Sequence, residues 1–223
     1  MRLAVVNGER VEAQPKLKGT CLSCGGDMVA KCGRVKVWHW SHKGRPPCDP
    51  WWESETEWHR NWKNKFPLEW QEIVAFDPAT GEKHIADVKT PHGLVVEFQH
   101  SPITPAEMQA REAFYGNMIW IVDGTRGPLD ASYFNMGTWG PIDRDPIAYG
   151  IEWMGRSRLF HNWSEAGAKV YLDFGTDLLF RLISFNQATN KGAVGPIHKK
   201  TAVDDCLIGR PISVLTERNT NDD

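Results

Sequence analysis

The stretch from His84 to Gln99 constrains the fold more than any other part of the chain. It predicts two β-strands joined by a turn at Thr90–Gly93, where a proline and a glycine interrupt the run. Because side chains alternate between the two faces of a strand, Glu97 and Gln99 share one face of the second strand. The opposite face of that strand is wholly apolar.

The pairing of these two strands predicts a divalent metal site. With the turn centred near His92, Asp87 on the first strand lies across from Glu97 on the second. Facing carboxylates backed by an apolar sheet are unfavourable unless a cation lies between them. Hard oxygen ligands favour Mg²⁺ or Mn²⁺, so we expect Asp87 and Glu97 to hold such an ion.

Residues of metal-ligating type are concentrated between positions 20 and 48. A C-x2-C pattern is followed by an H-x2-H pattern, formed by Cys21, Cys24, His39 and His42. Because the spacing is close to that of zinc fingers, we expect these four residues to bind a structural zinc ion. Cys32 and Cys48 leave the choice of ligands open. The alternative is a set of free buried cysteines beside surface histidines.

The same region is basic, although the whole chain has a formal net charge of −2. Residues 16–45 contain seven cations and one aspartate, a local balance of +6: Lys16, Lys18, Lys31, Arg34, Lys36, Lys43 and Arg45 against Asp27. Trp38 and Trp40 are interleaved with these cations, a pattern that suits contact with a phosphate backbone. The alternative is a solvated basic face.

A helix is predicted after the proline-rich loop 44–50. Ser54 and Glu57 form a capping-box pattern at its start. Glu55 then lies on an otherwise aromatic stripe, an unusual place for a carboxylate without a partner. We therefore expect Glu55 to be functional, with His59 and Lys63 beside it. The alternatives are that Glu55 only complements the helix dipole and that His59 is structural.

A second helix is predicted from Thr104 as the cap and Pro105 as the first helical residue, ending before Gly116. Met118–Val122 follows as an apolar run typical of a buried parallel strand. The element order from residue 54 to residue 122 is therefore α-β-β-β-α-β, with a right-handed crossover through the second helix.

Glycine, proline and aspartate become frequent after residue 125, and three runs there are strand-like: Arg158–Trp163, Lys169–Phe174 and Leu178–Phe185. We interpret this part as an added antiparallel layer or β-rich extension. The predicted organisation has three segments: a zinc-binding, basic module (1–50), an α/β core (51–126) and a β-rich C-terminal extension (127–223).

The odd count of five cysteines fits a reducing compartment better than a disulfide framework. The first residues lack the apolar region of a signal peptide, and no apolar run approaches the ~20 residues of a membrane span. We therefore expect a cytoplasmic protein without membrane contact.

Taken in order, these pieces resemble the PD-(D/E)XK nuclease superfamily and, more narrowly, the competence protein CoiA-like family. The matching pieces cover roughly residues 20–125. They are Cys21-x2-Cys24, His39-Trp40-Ser41-His42, Glu55-Thr56-Glu57-Trp58-His59, Ala86-Asp87-Val88, Glu97-Phe98-Gln99-His100-Ser101, and Arg111 to Tyr115 before Ile119-Trp120.

The resemblance implies a restriction-endonuclease-like fold and a Mg²⁺-dependent DNA nuclease that acts in processing or recombination of incoming DNA. Its partners would be DNA and recombination proteins. The E-x-Q form of the motif falls on Glu97 and Gln99. The expected catalytic residues are Glu55, Asp87, Glu97 and Gln99, with support from His59, Lys63, Arg111 and Tyr115.

Two other hypotheses fit the residues. The first is a non-catalytic, DNA-binding recombination-accessory protein on a nuclease-like scaffold, which the lack of a lysine in the motif favours. The second is a zinc-stabilised structural domain in which Asp87 and Glu97 face solvent.

Overall fold

The computed structural model describes residues 1–44 and 46–216. Arg45, one of the predicted basic residues, and residues 217–223 of the predicted extension lie outside the described residues. The chain divides into two compact units, Met1–Lys89 (unit 1) and Thr90–Asp223 (unit 2). This division does not coincide with the predicted boundaries after residues 50 and 126.

Unit 1 begins with a small sheet of five strands: β1 (Leu3–Val6), β2 (Glu9–Glu12), β3 (Lys18–Thr20), β4 (Asp27–Lys31) and β5 (His39–His42). Their order is β2-β1-β3-β4-β5, and neighbouring strands are antiparallel. Met28 and Trp40 are buried in its apolar core. The Trp40 indole also donates a hydrogen bond of 2.9 Å to the carbonyl of Val11, which satisfies its buried N–H.

The rest of unit 1 is α1 (Glu57–Lys63), a 3-10 turn (Leu68–Trp70) and an antiparallel hairpin of β6 (Gln71–Phe76) and β7 (Lys83–Lys89). The N-cap of α1 is Thr56, whose hydroxyl accepts the His59 N–H at 3.2 Å. The predicted cap at Ser54 is therefore wrong, because Thr56 satisfies the first-turn donor instead. Glu55 consequently precedes the helix rather than lying on its aromatic stripe.

Unit 2 contains β8 (Val95–Gln99), α2 (Pro105–Tyr115), β9 (Met118–Asp123), α3 (Asp130–Gly137), β10 (Thr138–Arg144), β11 (Ile147–Glu152), α4 (Leu159–Trp163), β12 (Lys169–Asp173), β13 (Leu178–Asn186), β14 (Lys191–His198) and α5 (Lys199–Ile208). The strands follow the order β10-β11-β14-β13-β12-β9-β8. β8, β9 and β12 run parallel, and the remaining pairs are antiparallel.

The second predicted helix is confirmed. Thr104 caps α2 by accepting the Glu107 N–H at 3.1 Å, Pro105 is its first residue, and Gly116 ends it with φ +66°. Every residue of β9 is buried, as expected for a central parallel strand. The order of elements from α1 to β9 is α-β-β-β-α-β, as predicted.

The C-terminal part of the chain differs from the prediction in two ways. The run Arg158–Trp163 contains the helix α4 rather than a strand, because Phe160 and Trp163, three residues apart, are both buried. β12 pairs parallel with β9, so the alternative of an added antiparallel layer is wrong, whereas the alternative of a β-rich extension fits, since β10 to β14 continue the sheet of β8 and β9. The other two predicted strands are confirmed as β12 and β13.

The architecture is therefore mixed α/β, with sheets in both units and few helices. None of the described helices combines the length and the apolar composition that a bilayer-spanning helix requires.

Candidate functional site

Four potential metal ligands of unit 1 converge, and among the described residues they form the only such group: Cys21, Cys24, His42 and Cys48. The sulfurs of Cys21 and Cys48 are 3.6 Å apart, and Cys24 Sγ is 3.3 Å from His42 Nε2. Tetrahedral zinc with Zn–S bonds of about 2.3 Å places two sulfurs about 3.8 Å apart. The group therefore fits a closed, four-coordinate zinc ion, which would be structural.

The loop between β3 and β4 places the first two ligands. The Cys21 N–H donates to the Gly26 carbonyl at 2.9 Å, and the Gly25 N–H donates to the Cys21 carbonyl at 3.0 Å. Gly25 has φ +66°, a left-handed conformation that glycine adopts without strain. The resulting tight turn brings Cys24 back beside Cys21.

Cys48 is placed by its neighbour Asp49. The Asp49 carboxylate accepts the Ile85 N–H at 2.7 Å and lies 2.9 Å from Nδ1 of His84. The ring of Trp51 stacks on His84 with 3.2 Å between centroids. These contacts attach the loop that carries Cys48 to β7, within the same unit.

The predicted ligand set was wrong in one residue. The fourth ligand is Cys48, whereas the sequence predicted His39. β5 spans His39–His42, and residues three apart on a strand point to opposite faces. His42 is buried on the face toward the cysteines, whereas His39 Nδ1 lies 2.8 Å from the carbonyl of Val37. An H-x2-H pair can converge from a helix but not from a strand. Cys32 also lies outside the group.

The thiols of this group differ in their readiness to ionise. Burial raises the pKa of Cys24, but the Gly26 N–H and His42 outweigh it and lower that pKa to about 6. Burial and the neighbouring Cys21 raise the pKa of Cys48 to about 12. Because zinc binds thiolates, its binding here would displace a proton from Cys48.

A second group in unit 1 surrounds Lys63, which is only 3% exposed at the end of α1. Its Nζ lies 3.0 Å from Asp87 Oδ1, 3.1 Å from Glu72 Oε1 and 3.9 Å from Glu55 Oε1. Burial lowers the pKa of Lys63, but the charges of Asp87, Glu72 and Glu55 outweigh it and hold that pKa above its usual value. The lysine therefore stays charged among these carboxylates.

Glu55 has a buried side chain, 4% exposed, and a bidentate partner. Nε and Nη2 of Arg60 each donate to one of its carboxylate oxygens at 2.8 Å. Burial raises the pKa of Glu55, but Lys63 and Arg60 outweigh it and lower that pKa to about 2. This is the geometry of a structural ion pair. The catalytic role of Glu55 stays a prediction.

Glu72 is a member of this group that sequence reasoning missed. It lies in β6, whose pairing with β7 keeps the same register on both sides of it, and it has φ +48°, a left-handed conformation that is uncommon for a glutamate. Its carboxylate accepts hydrogen bonds from the N–H groups of Arg2 and Leu3 at 2.6 Å and 2.8 Å. A left-handed glutamate inside a strand leaves no signal in the alternation of polar and apolar residues.

Asp87 is held through both of its carboxylate oxygens. Oδ1 faces Lys63 at 3.0 Å, and Oδ2 lies 2.9 Å from Nε2 of His59. The Asp87 side chain is still 16% exposed, whereas His59 is buried. The sequence predicted a positive charge beside Asp87, and side chains of unit 1 supply it.

In unit 2, Glu97 is paired with Arg111 of α2. Glu97 is 4% exposed, and its Oε2 lies 3.2 Å from Arg111 Nη1. The same guanidinium contacts Glu107 at 2.5 Å and lies 5.9 Å from the centre of the Trp120 ring. The hypothesis that Glu97 faces solvent is wrong, and its counter-charge is again a protein cation.

Gln99 and Tyr115, the remaining predicted site residues, also belong to unit 2. Gln99 ends β8, is 3% exposed, and donates from Nε2 to the Ser101 carbonyl at 3.0 Å. Tyr115 ends α2, where its half-buried ring meets the edge of Phe114 with 5.1 Å between centroids. The supporting role of Tyr115 stays a prediction.

Asp123 is a further buried acid that the sequence argument missed. It ends β9, next to the strand that Gln99 ends, and its Oδ2 lies 2.7 Å from Nδ1 of His100. Its other oxygen accepts the N–H and hydroxyl of Thr125 at 2.8 Å and 2.6 Å. The sequence could have predicted a functional role for Asp123, because sites in α/β sheets form at the carboxyl ends of parallel strands.

The predicted basic surface of unit 1 is exposed. All six of its described cations are solvent-accessible, and none forms an ion pair in the described part of the chain: Lys16, Lys18, Lys31, Arg34, Lys36 and Lys43. The loop between β4 and β5 also exposes 97% of Val35 and 46% of Trp38. Unpaired cations and an exposed indole are the groups with which single-strand-binding surfaces in general contact phosphates and bases.

No protein-family model, curated protein or solved structure matches this chain.

Proposed function

We propose that this chain is a Mg²⁺-dependent DNA nuclease of the competence protein CoiA-like type, with a structural zinc ion in its basic N-terminal module. It would act in the processing or recombination of incoming DNA, together with recombination proteins. The proposal joins the ordered motifs of the sequence to the chemistry of the side chains that carry them.

The observation that carries the proposal is the pairing of both motif acids with buried cations on a scaffold with the expected order of elements. Asp87 on β7 and Glu97 on β8 are each held by a basic residue that was expected to support the site, Lys63 and Arg111. Burying ionisable groups is unfavourable, and such groups are concentrated at functional sites.

The donor chemistry fits Mg²⁺, because Asp87 and Glu97 offer carboxylate oxygens, the ligands this ion prefers. The D-x9-E pattern of the sequence is what assigns both residues to one ion. A bound Mg²⁺ ion would activate a water molecule and stabilise the charge that grows on the scissile phosphate. The partial exposure of Asp87 gives solvent and ion access to that side chain.

The protein side chains have separate tasks in this proposal. His59 and Lys63 fix the orientation of the Asp87 carboxylate, and Arg111 fixes that of Glu97. The hydrogen bond from Gln99 to the Ser101 carbonyl fixes the amide plane, so its Oε1 is the atom that orients the attacking water. Gln99 is neither a base nor a cation, so transition-state charge falls to the metal and to Lys63 or Arg111.

The exposed cations of the N-terminal module would hold the DNA backbone, with Trp38 available for stacking on an unpaired base. A closed four-ligand zinc site has no open position for chemistry, so its role would be structural. The zinc ion would fix the turns that present this surface.

The direct test is metal-dependent cleavage of single-stranded, duplex and branched DNA side by side, with RNA of the same sequence included. We expect cleavage of at least one DNA substrate with Mg²⁺ or Mn²⁺ and none with EDTA. Cleavage of no substrate under any divalent metal would contradict the proposal.

A non-catalytic DNA-binding accessory protein is the second candidate. The observation that favours it is that Lys63 and Arg111 already neutralise Asp87 and Glu97, so the fold does not need a metal. Calorimetric titration with Mg²⁺ separates the two candidates. The nuclease should bind Mg²⁺ in a way that Asp87→Asn abolishes, whereas the accessory protein should bind DNA without binding the ion.

A further inference from the structure

Unit 2 contains a cavity of about 500 Å³ beside the amino-terminal ends of its parallel strands. Leu94 directly precedes β8, Met118 begins β9 and Lys169 begins β12, and all three line the cavity. Gln99 lies at the opposite end of β8, about 13 Å along a strand of this length. The cavity is therefore separate from the proposed nuclease residues of unit 2.

The charged side chains of the cavity wall are all basic. His92, Lys169 and Arg210 line it, and no aspartate or glutamate does so among the residues that the structure describes. None of these three side chains forms an ion pair within residues 46–216. Arg210 interacts electrostatically with Asp205, which is not part of the wall. Unpaired cations without a facing carboxylate favour an anionic ligand.

The wall also contains a hydroxyl group whose hydrogen-bonding capacity is unused. Tyr171 lines the cavity and is fully buried, and its hydroxyl oxygen has no hydrogen-bond partner in the described structure. Burial raises the pKa of Tyr171 to about 12, so the phenol remains an O–H donor at neutral pH. Buried polar groups are nearly always paired, so an unpaired one calls for an explanation, such as a bound water, an ion or a functional role.

The remainder of the wall is largely apolar. Ile119, Pro211 and Ile212 contribute apolar surface beside the basic residues. Gly209 ends α5 with φ +74°, and a Cβ at this position would lie 2.7 Å from the His92 ring. The left-handed backbone favours glycine at this position, and the absence of a side chain lets the His92 ring pack against it.

We propose that this cavity binds a nucleoside phosphate, either free or as the terminal nucleotide of a DNA strand. Lys169, Arg210 and His92 would bind the phosphate, and Tyr171 would donate its hydrogen bond to a ligand oxygen. The apolar wall would cover the base. A volume of about 500 Å³ lies within the usual range for small-molecule sites of about 300–1,000 Å³. The inference does not depend on nuclease activity.

The test is calorimetric titration of the full chain with deoxyadenosine monophosphate in EDTA, which keeps the proposed metal site out of the measurement. We expect binding of the monophosphate, weaker binding of inorganic phosphate and no binding of deoxyadenosine. Lys169→Ala and Arg210→Ala should each weaken binding about tenfold, the loss expected for one charge-assisted contact. Lys200→Ala, which changes an 88% exposed lysine outside the wall, should leave affinity unchanged.

Tyr171→Phe separates a ligand-binding hydroxyl from a structural one, because only the loss of a ligand-binding hydroxyl would lower the affinity for the monophosphate. We expect weaker binding of the monophosphate without any loss of thermal stability, because the hydroxyl has no partner to lose in the folded protein. Tyr149→Phe, on β11 and away from this wall, is the matched control. If Tyr171→Phe binds the monophosphate as tightly as the parent, the Tyr171 hydroxyl does not contact the ligand.

The source of the ligand is decided by competition with short oligonucleotides. Displacement by a 5′-phosphorylated strand but not by its unphosphorylated form identifies a strand end, and displacement by neither identifies a free nucleotide. The proposal is overturned if neither the monophosphate nor the phosphorylated strand binds at millimolar concentration, or if binding survives both Lys169→Ala and Arg210→Ala.

Discussion

The buried ammonium of Lys63 is the residue on which the charge balance of unit 1 depends. It lies within 4 Å of carboxylate oxygens from Asp87, Glu72 and Glu55. The sequence places Lys63 beside Glu55, but it gives no indication that Glu72 joins them, because a left-handed residue inside a strand leaves no signal in the alternation of polar and apolar residues. A lysine in this position is needed for folding whether or not the protein is an enzyme.

Replacing Lys63 with methionine should destabilise the protein by about 3–5 kcal/mol, because buried carboxylates lose their counter-charge while the volume is kept. Urea unfolding at pH 7 measures this change. Lys31→Met removes an exposed lysine of the same unit that has no ion pair, and should change stability by less than about 0.5 kcal/mol. Equal losses in the two variants would show that Lys63 does not have this role.

Glu55 predicts a pH dependence of stability. Its pKa is lowered in the folded protein from an ordinary value of 4.5 to about 2, against the opposing effect of burial, by Lys63 and Arg60. The unfolded chain therefore binds the proton more tightly, so the stability that Glu55 contributes is present above about pH 4.5 and is lost as pH falls toward 2.

Glu55→Gln should therefore be less stable than the parent at pH 7, by about 3 kcal/mol, and the difference should shrink as the pH approaches 2. Unfolding by urea across this pH series is the measurement. Glu57→Gln, at an exposed position of the same region, is the control and should show a small difference at every pH. A pH-independent loss for Glu55→Gln would contradict the assigned pKa.

Among the elements, both ends of α2 were predictable, whereas the first residue of α1 and the helical state of α4 were not, for physical reasons. The start and end of α2 are set by Thr104, Pro105 and Gly116, whose effects are local. Two cap-forming residues compete before α1, and only the folded chain selects Thr56. α4 has five residues, too few for its periodicity to be separated from that of a strand.

The strand β5 shows which of the zinc ligands could be predicted from the sequence and which could not. The C-x2-C turn and His42 followed from spacing, but Cys48 is positioned by the contacts of Asp49 with β7. Such a contact between segments far apart in the sequence leaves no local pattern. Recognising His39–His42 as a strand would have excluded one of its two histidines.

Zinc content should therefore depend on Cys48 and not on His39. Purified parent protein and His39→Ala should each contain one zinc ion per chain, whereas Cys48→Ser should lose most of its zinc and some stability. Metal analysis of the three proteins after dialysis is the measurement. Loss of zinc from His39→Ala with retention in Cys48→Ser would restore the ligand set expected from spacing.

At the scale of the whole molecule, the order of elements was predictable but the extent of the sheets was not. Strand and helix signals are local, so α-β-β-β-α-β could be derived from residues 54–122. The parallel pairing of β12 with β9 joins segments separated by about 45 residues, and the crossover between them contains two further strands and two helices. Pattern alone could not show that the chain returns to the same sheet.

Positive charge was predicted beside Asp87 and Glu97. It is present there, but it is supplied by protein side chains. Lys63 and Arg111 were both among the residues expected to support the site, yet their burial against Asp87 and Glu97 could not be derived from spacing. The metal therefore has to be tested by experiment rather than inferred from charge balance.

The most direct test of the nuclease proposal compares cleavage of DNA in Mg²⁺ by Asp87→Asn, Glu97→Gln and Glu107→Gln. Glu97 and Glu107 both contact Arg111, so the last variant controls for disturbance of that guanidinium. We predict that Asp87→Asn and Glu97→Gln fold and lose cleavage by about 100-fold or more, the order expected when transition-state charge stabilisation is removed. Glu107→Gln should cleave like the parent. Undiminished cleavage by folded Asp87→Asn and Glu97→Gln would contradict the proposal.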